Sequence, residues 1–412
     1  MPPDENETST VDFAAPAHDL STGDGCVASL RDVSSEPAAE EYGGGCPMAG
    51  AENGATDTLY YWDYLHLDSL LNAQMPKSAA AGDPKHDEFF FIAMHQTCEL
   101  WFKQILVELD SVNEIMSQEV VADRDMGTVL SRLQRINQIQ RLLIAQIDVL
   151  ETLSPLDFLD FRSFLVPASG FQSVQFRLIE NKFGLLSKDR LKVEGQCYVE
   201  TLRDDHADLV DESEQAPSLF DHVERWLART PFLSTESFDF VARYRDVAKA
   251  IHTIERAEIT GHTAQNPTSR DKQLRAFESS VRKFDAVFDE ARWQQDVEEG
   301  RRRLSYDAFM AALFINLYRD EPVLQLPSRI LTALIEIDES FTIWRQRHAL
   351  MAHRMLGRQS GTAGSGHGYL EETAKRHKAY KDLFDVSTYL LPSSALPTLP
   401  DSLLGELGYR RG

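Results

Sequence analysis

Two histidines and an arginine stand where the surrounding pattern asks for apolar side chains, and each could do chemistry there. His348 falls in the series Ile330, Leu334, Ile337, Phe341, Trp344, His348, Met351 and Met355, whose steps of four and three residues trace one buried helix face. His353 lies about 140° further round the helix and leaves that face. His95 sits between Phe91, Cys98 and Phe102 on a second such face. A histidine so placed either satisfies its ring on a carbonyl or carboxylate within the core, or offers one nitrogen to a metal or cofactor. Arg162 lies among Phe158, Phe161 and Phe164, beside the bend Pro167-Ala168-Ser169-Gly170. A guanidinium there must meet an anion, which is an internal carboxylate such as Asp157 or Asp160, or a bound one.

Absent patterns narrow the chemistry. There is no Glu-x-x-His pair of the di-iron bundles, no His-Glu-x-x-His, no Gly-x-Ser-x-Gly and no Walker lysine loop. The stretch Gly361-Thr362-Ala363-Gly364-Ser365-Gly366-His367-Gly368 follows no strand and lacks the dinucleotide spacing. Single histidines on two separate helices suit haem, whose iron needs only one protein nitrogen and whose ring is held by apolar and aromatic walls. Core histidines remain the alternative at this point.

These residues require long helices to position them. Phe91, Met94, Cys98, Trp101, Ile105, Leu109 and Val112 form one stripe, and Val129, Leu133, Ile136, Leu143, Ile147 and Leu150 another. Segments 171–186, 218–228, 236–256 and 270–290 are also helix-like, charged residues occupy the opposite faces, and no run alternates with strand period. The expected fold class is all-α, a helical bundle. Segment 156–173 fits neither a clean helix nor a turn. Residues 204–303 are more polar and suggest an inserted helical subdomain. Residues 1–58 hold twelve Asp or Glu against the single Arg31, include Gly43-Gly44-Gly45, and show no periodicity, so disorder is expected there. The division is therefore 1–58 as an acidic N-terminal segment, 59–400 as the main domain, and 401–412 as a C-terminal tail.

A net charge of -23 disfavours nucleic acid or an anionic membrane as the main partner. The four cysteines form no C-x-x-C pair, which fits a reducing cytoplasm. No secretory leader or membrane span is evident, and a cytoplasmic protein is expected.

Segment 156–173, taken with His86-Asp87-Glu88, His95-Gln96-Thr97-Cys98-Glu99-Leu100-Trp101-Phe102-Lys103-Gln104, Trp344-Arg345-Gln346-Arg347-His348 and Gly361-Thr362, closely resembles the tryptophan 2,3-dioxygenase family. The resemblance runs in the family's order from about residue 59 to about residue 400. It implies an all-helical homotetramer dependent on haem b, ferrous when active. It implies insertion of both atoms of O2 across the indole C2–C3 bond of L-tryptophan, giving N-formylkynurenine at the start of the kynurenine route.

Residue by residue, the resemblance implies that His348 is the axial ligand of haem iron and that Ser169 and Gly170 approach the haem edge. His95 would be the distal histidine that accepts a hydrogen bond from the indole N–H and orients the ring, without strict general-base function. Arg162 would clamp the substrate carboxylate, Thr362 would meet its ammonium and carboxylate groups, and Phe91 and Phe158 would wall the indole. Tyr61 and Tyr64 would reach a neighbouring subunit's pocket. Arg345 is left between a structural role and a propionate contact. After Gly361-Thr362 the family continues Gly-Gly-Ser-Ser-Gly, whereas Ala363 and Gly366 stand here in place of a glycine and a serine. That departure keeps two alternatives open: a related haem oxygenase for a substituted tryptophan, and a non-catalytic haem-binding sensor.

Overall fold

The computed structural model describes residues 58–187, 190, 202–235, 238–261, 266–357, 359, 372–373 and 377–407. The N-terminal segment expected to be disordered therefore lies almost wholly outside the described residues, as does the loop carrying Thr362. The chain divides into two units between Leu65 and His66. In the first, α1 (Tyr61–Tyr64) is a single turn without a buried residue.

The described residues of the second unit are helices joined by loops and contain no strand, only an isolated bridge between Ser234 and Asp239. Two short helices, α2 (Leu67–Leu71) and α3 (Lys77–Ala80), precede the long α4 (His86–Met116) and α5 (Asp123–Leu150). Then come α6 (Pro155–Leu165), α7 (Val174–Phe183), α8 (Asp204–Gln215), α9 (Leu219–Ala228), α10 (Phe240–Gly261), α11 (Pro267–Asp285) and α12 (Glu290–Glu298). The buried α13 (Tyr306–Leu317) leads into α14 (Pro322–Leu356), followed by α15 (Lys381–Asp385) and α16 (Asp401–Leu407).

The long apolar stripes explain the centre of the bundle. α14 packs along α5, and α4 packs against α5 and α7, burying Ile105, Leu109, Leu133, Ile136, Leu334 and Ile337 in one core. Polar side chains on α5 fix its register against α14. Asn137 donates to the Ala333 carbonyl (3.2 Å) and to Glu336 (3.1 Å), and Gln140 donates to the Ile337 carbonyl (3.3 Å). Helices from 204–303 feed the same core through Phe220, Phe240, Tyr244 and Trp293, and at the chain's end α16 buries Leu403 and Leu407.

Segment 156–173 corrects the sequence expectation, because most of it is helix. Pro155 occupies the first turn of α6, and the Ser154 hydroxyl accepts from the Asp157 amide at 3.2 Å. Phe161 then buries completely against Ile147, Leu153, Met351 and Met355, a second cluster that fastens α6 between α5 and α14. No described helix is long and apolar enough to cross a membrane.

Candidate active site

A cavity of about 320 Å³ opens among α4, α5, α6, α7 and α14, within the size range of small-molecule sites. Apolar side chains such as Leu143, Ile147, Trp344, Met351 and Met355 make most of its wall, and His95, His348 and Arg162 meet it from three different helices.

His95 is held by the backbone of its own helix. Its Nδ1 lies 2.8 Å from the Phe91 carbonyl oxygen one turn earlier. A carbonyl only accepts, so Nδ1 carries the proton of the neutral ring and Nε2 keeps a lone pair. His95 lines the cavity. Burial lowers its pKa below the ordinary histidine value, against the smaller opposing effects of the Phe91 carbonyl and Glu99. Phe91 lies 4.1 Å from the His95 ring centroid and 5.7 Å from that of Phe158, and Phe158 meets Phe161 edge-on at 5.4 Å. These rings build an aromatic wall beside His95.

His348 projects from α14 with its ring parallel to that of Trp344, 5.2 Å between centroids and 3° between planes. Trp344 in turn rests on Phe176 at 5.1 Å. Burial pushes the His348 pKa down to about 4, and the proximity of His95 adds to the shift. The imidazole is thus neutral at physiological pH and offers a nitrogen lone pair, the form required of a metal ligand. The described residues nowhere gather three or more His, Cys, Asp or Glu into a metal-holding cluster.

Arg162 occupies the last turn of α6, half-buried, and its Nη1 donates to the Gln359 side-chain oxygen at 3.0 Å. Ser169 and Gly170 form the bend that enters α7. The Ser169 amide donates to Gln172 Oε1 (3.1 Å), its hydroxyl accepts from the Phe171 amide (3.3 Å), and both residues line the cavity. Of the remaining expected site residues, Tyr61 and Tyr64 lie exposed on α1 of the first unit, and Thr362 lies outside the described residues.

Sequence reasoning missed several polar groups on the same wall. Cys98 points its thiol at Gln146 Oε1 (3.6 Å), and burial with Glu99 nearby pushes its pKa to about 11. Glu99 itself accepts from Gln175 at 2.8 Å. Most unexpected is Glu180, which lies 2.8 Å from Arg177, 2.7 Å from Arg345 and 3.6 Å from Arg190. Arg345 also donates to the His377 carbonyl at 3.1 Å, which places it within a buried structural network. Only Arg177-x-x-Glu180 has a spacing that sequence could have flagged.

A family model described as tryptophan 2,3-dioxygenase matches residues 47–390. That span contains every residue of the cavity wall. The chain belongs to the tryptophan 2,3-dioxygenase family. It is 46% identical over 352 residues to the tryptophan 2,3-dioxygenase of Bdellovibrio bacteriovorus, covering 85% of this chain and 98% of that protein. Similar relatives are those of Alteromonas mediterranea, 44% identical over 86% of this chain and 98% of that protein, and of Dictyostelium discoideum, 42% identical over 85% and 88%. The family model begins at residue 47 and so leaves out most of the acidic N-terminal segment.

Proposed function

We propose that this chain binds haem b through His348 and opens the indole C2–C3 bond of L-tryptophan with O2, giving N-formylkynurenine, the first step of the kynurenine route. The observation that carries this reading is the convergence of His95, His348 and Arg162 from three helices on one largely apolar cavity. The donor set fits haem: His348 offers a neutral imidazole on a largely apolar wall, separate from His95, and haem iron needs only one such protein nitrogen. When bound, ferrous haem supplies the redox-active metal that makes O2 reactive toward the indole double bond. Both oxygen atoms end in the product, so no external reductant is consumed in turnover.

The chain's own residues bind and orient. His95 Nε2, left as an acceptor by the Nδ1 contact with Phe91, receives the indole N–H and sets the ring's rotation. Phe91 and Phe158 flank the indole plane and exclude water. Arg162 pairs with the substrate carboxylate, a charge-assisted contact worth roughly 1.5–3 kcal/mol. Thr362 serves the ammonium and carboxylate end, and Ser169 with Gly170 approaches the cofactor edge. Tyr61 and Tyr64 complete the pocket of a neighbouring subunit in a homotetramer, a role supported by their exposure on α1. The reaction runs in the cytoplasm.

The test is product identification. Protein purified after growth with a haem precursor shows a Soret band, and once reduced it converts L-tryptophan and O2 to N-formylkynurenine. Intact ferrous haem with no N-formylkynurenine would overturn the proposal.

A further inference from the structure

We infer that Glu180 is a positioning residue for the reaction: by holding Arg345 and the His377 backbone in one buried hub, it fixes the rotation of α14 that aims the His348 ring into the cavity. The inference rests on the haem reading above.

Glu180 is 2% exposed and accepts from Arg177 of its own helix (2.8 Å) and from Arg345 of α14 (2.7 Å), with Arg190 at 3.6 Å. Burial alone would favour its neutral form. The three guanidiniums outweigh burial and hold the carboxyl well below the usual range, so it remains an anion and a fixed acceptor. Arg345 uses its other terminal nitrogen on the His377 carbonyl at 3.1 Å, and His377 Nδ1 itself lies 4.0 Å from Glu180. Two turns earlier on α14, Asp338 accepts the amides of Ala379 (3.2 Å) and Tyr380 (2.9 Å). The helix that carries His348 is therefore pinned to segment 377–380 at two levels, and at the upper level also to α7.

Arg345 is three residues before His348, and Trp344, on which the His348 ring lies flat, is its immediate neighbour. At a side-chain radius of about 5–6 Å, a helix rotation of about 10° moves a ring nitrogen by about 1 Å. A misplacement of about 1 Å at a reacting centre costs on the order of a hundredfold in rate. Trp344 fixes the ring relative to α14, whereas the Glu180 hub fixes α14 relative to the cavity. Arg177, Glu180, Arg345 and His377 all belong to the cavity wall, so the hub acts at the site and is not a remote prop.

The test uses reconstituted holoenzyme and the variants Glu180→Asp, Glu180→Gln, Arg345→Lys, Arg345→Gln and Glu180→Gln/Arg345→Gln. Resonance Raman of the ferrous protein reads the iron–histidine stretching band, and steady-state kinetics separates kcat from KM. The expected result is a shifted band and a kcat at least about tenfold lower, with KM for tryptophan changed by less than about threefold. The double variant should resemble the worse single one, because both break the same link. Glu180→Asp and Arg345→Lys keep every charge, so they carry the test if the neutral variants fail to fold. Variants with a lower Tm but an unchanged band and kcat would overturn the inference while leaving the haem reading intact. A wild-type protein with no Soret band would overturn the haem reading itself, and this inference with it.

Discussion

Replacing Arg162 with alanine separates a substrate clamp from an internal ion pair. Arg162 is half-buried in the last turn of α6, and Phe161 beside it anchors that helix with its side chain fully buried. Truncation at Arg162 therefore leaves α6 in place and removes, among its contacts, the hydrogen bond that the guanidinium donates to the neutral Gln359 amide oxygen. A charge-assisted contact of roughly 1.5–3 kcal/mol corresponds to about 10- to 150-fold weaker binding of L-tryptophan. Tryptamine, which lacks the carboxylate, should bind wild type and variant about equally. The assay is an equilibrium titration of the haem absorption spectrum with each ligand. Arg162→Lys should recover part of the loss, since an ammonium keeps the charge but not the two-pronged geometry. Equal weakening for both ligands, or a loss below about threefold for L-tryptophan, would refute the clamp.

The other predictions address the histidines and the scaffold. His348→Ala should lose the Soret band on gel filtration, and a variant that retains haem with unchanged axial ligation would remove the assignment. His95→Ala should keep haem while kcat/KM falls about 2- to 12-fold, as expected for one hydrogen bond of about 0.5–1.5 kcal/mol; haem loss equal to that of His348→Ala would count against the separate roles. Burial first, and then Arg345, hold the His377 pKa down to about 4 against the opposing effect of Glu180, with smaller lowering effects from Arg177 and Arg190. Its stabilising contribution is therefore complete above the ordinary histidine value near 6.5 and is lost as pH falls toward 4. Urea unfolding at pH 7 and pH 5 should show this sensitivity in wild type and a weaker one in His377→Gln, and identical pH dependence would contradict it. Phe161→Ala should cost about 3–5 kcal/mol in the same assay through loss of a fully buried ring, and a cost below about 1 kcal/mol would show that the second cluster does not fasten α6.

What sequence revealed followed the length of each periodic signal. The stripes through His95 and His348 run for many turns, so α4, α5 and α14 and the inward direction of both histidines were legible from spacing alone. α6 was not, because residues 156–165 have apolar side chains on nearly every face and give little contrast. Its start signals, Ser154 with Pro155 and Asp157, were nonetheless present. The Glu180 hub was invisible for a different reason: Arg345 lies 165 residues from its partner, and no local rule links charges at that distance. Arg162 shows the intermediate case, since its aromatic setting signalled an anion and only the family resemblance indicated a substrate carboxylate.

The central claim, dioxygenation of tryptophan in the cavity between His95 and His348, is tested most directly by a single turnover of the ferrous holoenzyme with L-tryptophan under oxygen-18 gas, followed by mass spectrometry. Both labelled atoms should appear in N-formylkynurenine, whereas a product carrying one label or none, corrected for exchange with water, would contradict the account.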